Sequence, residues 1–150
     1  MKPKKEVLIM IAMSTICWIS STKTALAADA YEPDNSRSAP VNIGVGSVQN
    51  HTIDPVGDVD WIRFYVPVTP VTRTYYVTIT NTGTTSLYIE RWVKLGYLFE
   101  IKYNAGTLPP GMTCVFAQNR SGANDKATFY CKFGVTQKSS LKGKYTIKAR

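Results

Sequence analysis

Histidine is almost absent from this chain, cysteine is scarce, and acid is rare over most of its length. One histidine, His51, and three cysteines in 150 residues leave no Cys-x-x-Cys pair and no His-rich zinc spacing. No Gly-x-Ser-x-Gly elbow supports a Ser-His-Asp arrangement built on His51 and Asp54. The carboxylates of Asp58, Asp60, Glu90 and Glu100 could be paired on paper for glycoside hydrolysis, but nothing sets their geometry. His51 reads as a surface strand residue and the chain as non-catalytic. Apolar spacing of three and four is missing, which argues against amphipathic helices. No internal repeat or low-complexity tract is present.

Lys2, Lys4 and Lys5 precede a short apolar run from Val7 to Ile19, and Ala25-Leu26-Ala27 is a small-x-small cleavage site. That is the layout of a secretory signal peptide over residues 1–27. The run is shorter than the roughly 20 residues a bilayer span needs, and no further apolar run could span a bilayer. Ile16 stands before Cys17, where a lipoprotein signal wants a small residue. The expected product is residues 28–150, secreted or periplasmic, of single-domain length.

Removing the leader takes away four lysines and one glutamate, so the net charge falls from +8 to +5. The remaining charge is uneven. Asp29 to Asp60 holds six acids and one base, Arg37; Trp61 to Arg150 holds thirteen bases and three acids. Export argues against a nucleic acid partner. A basic surface toward anionic envelope polymers or lipids fits better, beside the plain reading of a solubilising face. Cys17 leaves with the leader, and Cys114 and Cys131 remain as an even pair in an oxidising compartment. A disulfide between them is expected, stabilising by about 3 kcal/mol on the chain-entropy estimate.

The chain is otherwise written in strands. Residues 28–40 form a polar lead-in with turn chemistry at Pro33, Asp34 and Asn35. Val41–Val45 and Ser47–Ile53 are short extended candidates, and 54–58 is a turn. Ile62, Phe64 and Val66 then alternate with Trp61, Arg63 and Tyr65, the period of a half-buried strand. The same period recurs at Tyr75, Val77 and Ile79; at Leu87, Ile89, Arg91 and Val93; and at Tyr97, Phe99, Ile101 and Tyr103, with Asn104-Ala105-Gly106 read as a turn. It returns at Met112, Cys114 and Phe116; at Ala127, Phe129, Cys131 and Phe133; and at Tyr145, Ile147 and Ala149. Cys114 and Cys131 fall on inward faces of strands read as neighbours. Roughly seven to nine strands with regular turn signals mean an all-β, antiparallel sandwich or barrel over residues 41–150.

Four stretches resemble the bacterial pre-peptidase C-terminal domain. Asp29-Ala30-Tyr31-Glu32-Pro33-Asp34-Asn35-Ser36 is similar to its acidic opening, although the family's Asn-Asp order is reversed here. His51-Thr52-Ile53 with Gly57-Asp58-Val59-Asp60-Trp61 is similar to its central joint. Tyr76-Val77-Thr78-Ile79-Thr80 and Gly143-Lys144-Tyr145-Thr146-Ile147 resemble two of its strands. The resemblance implies a jelly-roll-like β-sandwich, secreted, in some members binding calcium or extracellular polymers. The family's usual place is beside a protease, and no catalytic domain precedes the module in this sequence.

Calcium takes six to eight oxygen ligands. Glu32, Asp34 and Asn35 supply one group and Asp58 and Asp60 another. Gathered at one rim, their carboxylates would repel unless a cation lay between them. Solvated turn residues are the plain alternative. A ligand-binding face is read from Arg63, Tyr65, Tyr76, Tyr88, Trp92, Tyr130 and Lys132, with Glu90, which share the parity opposite the apolar positions. Such a face could stack on sugars or grip an extended peptide; cross-strand aromatic packing is the competing account. Asn50-His51-Thr52 and Asn119-Arg120-Ser121 match the glycosylation sequon, which matters only in a eukaryotic secretory pathway. These readings lead to an exported, non-catalytic binding module for an extracellular or envelope protein or polysaccharide. The alternative is a small periplasmic inhibitor or immunity-type protein acting on a secreted hydrolase.

Overall fold

The computed structural model describes residues 30–54, 57–122, 127–137 and 141–150. The leader read over residues 1–27 lies outside the described residues.

Nine strands are present among them: β1 (Val41–Ile43), β2 (Val48–Ile53), β3 (Val59–Tyr65), β4 (Arg73–Asn81), β5 (Leu87–Leu95), β6 (Ile101–Leu108), β7 (Thr113–Arg120), β8 (Phe129–Gln137) and β9 (Gly143–Ala149). They form two sheets, in the orders β1-β3-β8-β5-β6 and β2-β9-β4-β7. Only the β5–β6 connection stays within one sheet; each other connection crosses the sandwich. Pairing is antiparallel except for β1, which lies parallel to β3 with Val41 opposite Ile62.

The core follows from the period-two code. Ile62 and Phe64 of β3 meet Tyr75, Val77 and Ile79 of β4, with Phe133 and Val135 of β8 and Tyr145 and Ile147 of β9 completing a dry interior. Phe116 and Phe133 close across the sheets with ring centroids 5.0 Å apart, and Phe64 and Tyr75 at 6.1 Å. Polar side chains finish the rim. Gln137 donates to the Ile53 carbonyl at 3.2 Å and accepts from Thr85 Oγ1 at 3.0 Å. Asn81 donates to the Thr85 and Leu108 carbonyls.

Three expectations are corrected. Cys114 and Cys131 are free thiols, not a disulfide. Both side chains point inward, but β7 and β8 belong to opposite sheets. Cys131 Sγ sits 3.2 Å from Gln118 Oε1. Gln118 is four residues along β7 from Cys114, about 13 Å at the strand rise, too far for a bridge. Asn104-Ala105-Gly106 is not a turn but lies within β6. The register slips between Ile89 and Glu90, which face Gly106 and Asn104, so Ala105 is the extra residue of a bulge. Gly106 carries φ +90°, the left-handed backbone that glycine permits in bulges and turns alike. Tyr97 and Phe99 do not continue a strand; they stand almost wholly in solvent with Leu98 at the β5–β6 hairpin tip.

Burial pushes both thiols up to about 11, so they stay protonated and poorly nucleophilic near neutrality. Folded residues 28–150 are therefore expected to resist alkylation, Cys131 more than the half-buried Cys114. Unfolding without reductant should release two reactive thiols, counted by intact mass.

Candidate functional site

The rim at which the two sheets and the lead-in meet is built from β2, β3 and β9. His51 on β2 lies directly opposite Tyr145 on β9, and their rings stack 4.9 Å apart at 7°. Tyr31 of the lead-in also stacks on the His51 ring, with centroids 4.5 Å apart at 26°. Asp60 enters from β3, in the opposite sheet, and accepts a hydrogen bond from Tyr145 Oη at 2.8 Å. Asp34 is carried in by the lead-in, whose backbone extends beside β3: the Trp61 amide donates to the Asp34 carbonyl at 2.8 Å.

The result is a buried meeting of two carboxylates and an imidazole. Asp34, His51 and Asp60 are 1–2% exposed. His51 Nδ1 lies 3.5 Å from Asp34 Oδ2 and 3.8 Å from Asp60 Oδ2. Neither Asp34 carboxylate oxygen accepts a hydrogen bond among the described residues. Beside this trio lies a second, more exposed group of Glu32, Asp58 and Asp60; in each group one ligand atom per residue falls within 4.8 Å of the others. Asp58 is oriented by the amides of Asp54 (3.2 Å) and Val59 (2.9 Å). Glu32 accepts from the Asp34 amide and from Asn35 Nδ2, both at 3.3 Å.

Of the residues expected as metal ligands, Glu32, Asp58 and Asp60 come together in one group, Asp34 meets Asp60 in the other beside His51, and Asn35 donates to Glu32. His51, read from sequence as a surface residue, is instead in the interior. A signal was there: Gln49, His51 and Ile53 share one parity on β2, and Ile53 is the most apolar of them.

The expected ligand-binding face is divided. Arg63, Tyr65, Tyr88, Trp92, Tyr130 and Lys132 belong to β3, β5 and β8 of the five-stranded sheet, whereas Tyr76 belongs to β4 of the other. Much of the first set is engaged within the protein. Glu100 accepts from Lys132 at 2.5 Å and from Tyr130 Oη at 2.7 Å, with Arg37 at 3.7 Å. Arg37 also lies over the Trp92 ring at 4.0 Å. Glu90 pairs with Lys102 and accepts from Trp92 Nε1. An apolar cleft of about 380 Å³ remains between Trp61, Tyr88, Glu90 and Asn35, floored by Gly134. A Cβ on Gly134 would meet the Trp61 ring at 3.0 Å. Sequence reasoning also missed the exposed tip of Tyr97, Leu98 and Phe99, having placed two of these on a strand.

Fold and rim together define a two-sheet β-sandwich whose amino-terminal segment is docked on an acidic corner. No family model and no curated protein matches the chain. Its fold is similar to the solved pre-peptidase C-terminal domain of a collagenase from Bacillus anthracis, at 12% identity and a TM-score of 0.45 over 73% of this chain and 92% of that one.

Desolvation raises the Glu100 carboxyl, but hydrogen bonds from Lys132 and Tyr130 and the charges of Lys132 and Arg37 together outweigh it and hold the group below its ordinary 4.5. A carboxyl lowered in the folded state stabilises fully above its unfolded value and loses that contribution as pH falls through the folded one. Glu100→Gln is expected to cost about 1–3 kcal/mol at pH 7, since Lys132 is left buried without its partner. The gap to the parent should narrow on acidification below pH 4.5, as read from denaturant midpoints.

Proposed function

We propose that the chain is an exported, non-catalytic β-sandwich binding module whose lead-in is clamped to the sandwich by a calcium ion. The observation that carries this reading is the convergence of Glu32 with Asp58 and Asp60, two acidic segments distant in sequence. The donor set fits a hard cation. It is all oxygen, it is multiply charged, and its members are already oriented, Glu32 and Asp58 by backbone amides and Asp60 by Tyr145 Oη. Asp34, buried with carboxylate oxygens that accept no hydrogen bond among the described residues, adds a charge that the rim has to balance.

Burial speaks against catalysis. His51 is 2% exposed and its neighbours Asp34 and Asp60 are 1% exposed, which leaves no ring nitrogen open to a substrate from solvent. The non-catalytic reading leaves binding as the role, toward an extracellular or envelope protein or polysaccharide. The surface best suited to it is the hairpin tip of Tyr97, Leu98 and Phe99, flanked by Lys94 and Lys102, because its apolar area stands uncovered. The inhibitor or immunity-type alternative would have to act through the basic face alone, because the free thiols leave the 114–131 region without a covalent brace.

Calcium should raise the melting temperature of chelator-treated mature protein. At a hundred times its Kd it contributes about 2.7 kcal/mol, a shift of several degrees. Glu32→Gln and Asp58→Asn should each shrink the shift. Identical melting curves in chelator and in millimolar calcium would remove the clamp.

A further inference from the structure

We propose that Asp34, His51 and Asp60 form an inner metal site for a divalent transition ion of the zinc class, separate in chemistry from the all-oxygen group outside it. The inference goes beyond the calcium reading and does not depend on it, since the two groups share only Asp60.

Ligand type is the first reason. An imidazole nitrogen suits zinc, cobalt or nickel, whereas calcium selects oxygen. Spacing is the second. Bonds of about 2.0–2.1 Å in a tetrahedral zinc site put neighbouring ligand atoms about 3.3–3.4 Å apart. Here Nδ1 is 3.5 and 3.8 Å from the two carboxylate oxygens, and all three ligand atoms lie within 4.8 Å of one another, so an ion would have to draw them in only modestly.

The surroundings supply the third reason. A metal-bound histidine typically donates its other ring N–H to a fixed acceptor. Gln49 Nε2 is committed to the Asn42 carbonyl at 2.9 Å, which turns Gln49 Oε1 toward His51 Nε2 at 3.3 Å. With Gln49 Oε1 as the acceptor, Nε2 would carry the proton and the Nδ1 lone pair would face the two carboxylates. The stacked rings of Tyr31 and Tyr145 set the imidazole plane, and Tyr145 Oη orients Asp60. Asp34 is 1% exposed, and its carboxylate oxygens accept no hydrogen bond among the described residues. Charge closes the balance: two carboxylates with a neutral imidazole match a doubly charged ion. A second ring proton, the competing occupant of this position, would supply only one charge.

The test uses the tag-free mature chain, stripped with chelator and titrated with Co²⁺, then Zn²⁺. One equivalent of Co²⁺ should produce ligand-field absorption that Zn²⁺ abolishes. His51→Gln should lose those bands while keeping any calcium-dependent melting shift; Glu32→Gln should keep the bands while weakening that shift. Because His51 is the only histidine, imidazole ¹⁵N spectra of the parent protein give a second readout that needs no variant. Zn²⁺ should move the Nδ1 resonance and leave Nε2 protonated. No ligand-field bands at stoichiometric Co²⁺, bands indifferent to His51→Gln, or two protonated ring nitrogens with and without Zn²⁺ would each overturn the proposal. A calcium effect without cobalt binding would sink this inference alone, and the reverse would sink only the calcium clamp.

Discussion

The structure depends on how two carboxylates, Asp34 and Asp60, are kept together in a dry place. Each is 1% exposed, and an unbalanced charge at such depth costs several kcal/mol. Positive charge in the His51 position is what can offset it. The three groups come from three parts of the fold: Asp34 from the lead-in, His51 from the four-stranded sheet and Asp60 from the five-stranded one. Whatever balances the charges therefore also fastens the lead-in and both sheets at one point.

Elsewhere the sheets are held by shape. Aromatic contacts such as Phe116 on Phe133 cross the interior, and polar side chains seal the ends by bonding to carbonyls that strand pairing leaves over. Gln137 reaching Ile53 is one such seal; Asn81 reaching Leu108 is another. A chain of this length can bury enough surface to stand without a covalent brace. That accounts for a buried Cys131 and a half-buried Cys114 packing as apolar side chains in a protein whose composition suggested a bridge.

Period-two alternation made β3, β4 and β9 legible, because one face of each is apolar and a slip by one residue would expose it. It carried no information about which strands face each other across the sandwich. The parity of Cys131 was readable and its opposition to Gln118 was not, since that opposition follows from how the sheets stack. Asn104-Ala105-Gly106 was ambiguous for a local reason: a glycine at positive φ serves a bulge as well as a turn. The acidic corner was readable from charge, because like charges distant in sequence at one rim demand a shared explanation. The role of His51 was hidden by its neighbours, as the polar run Gln49-Asn50-His51-Thr52 looks like a surface strand. Its inward parity becomes visible only once Ile53 is known to be in the core.

The lead-in links the rim to the broad face of the five-stranded sheet. Asp34 sits in the buried trio; three residues later Arg37 covers Trp92 and approaches Glu100. Glu100 in turn holds Lys132 and Tyr130. Arg37 follows Asp34 by three residues, at most about 10 Å of backbone, so the two anchor points are held close together. Seating Asp34 at the rim therefore keeps Arg37 over Trp92 and leaves the aromatic and basic face occupied from within. Releasing it would uncover Trp92 and free the charges around Glu100. The electrostatics of one buried point thus decide how much of the adjoining sheet is presented to solvent, while the hairpin tip of Tyr97 and Phe99, carried at the far end of β5, stays exposed in either case.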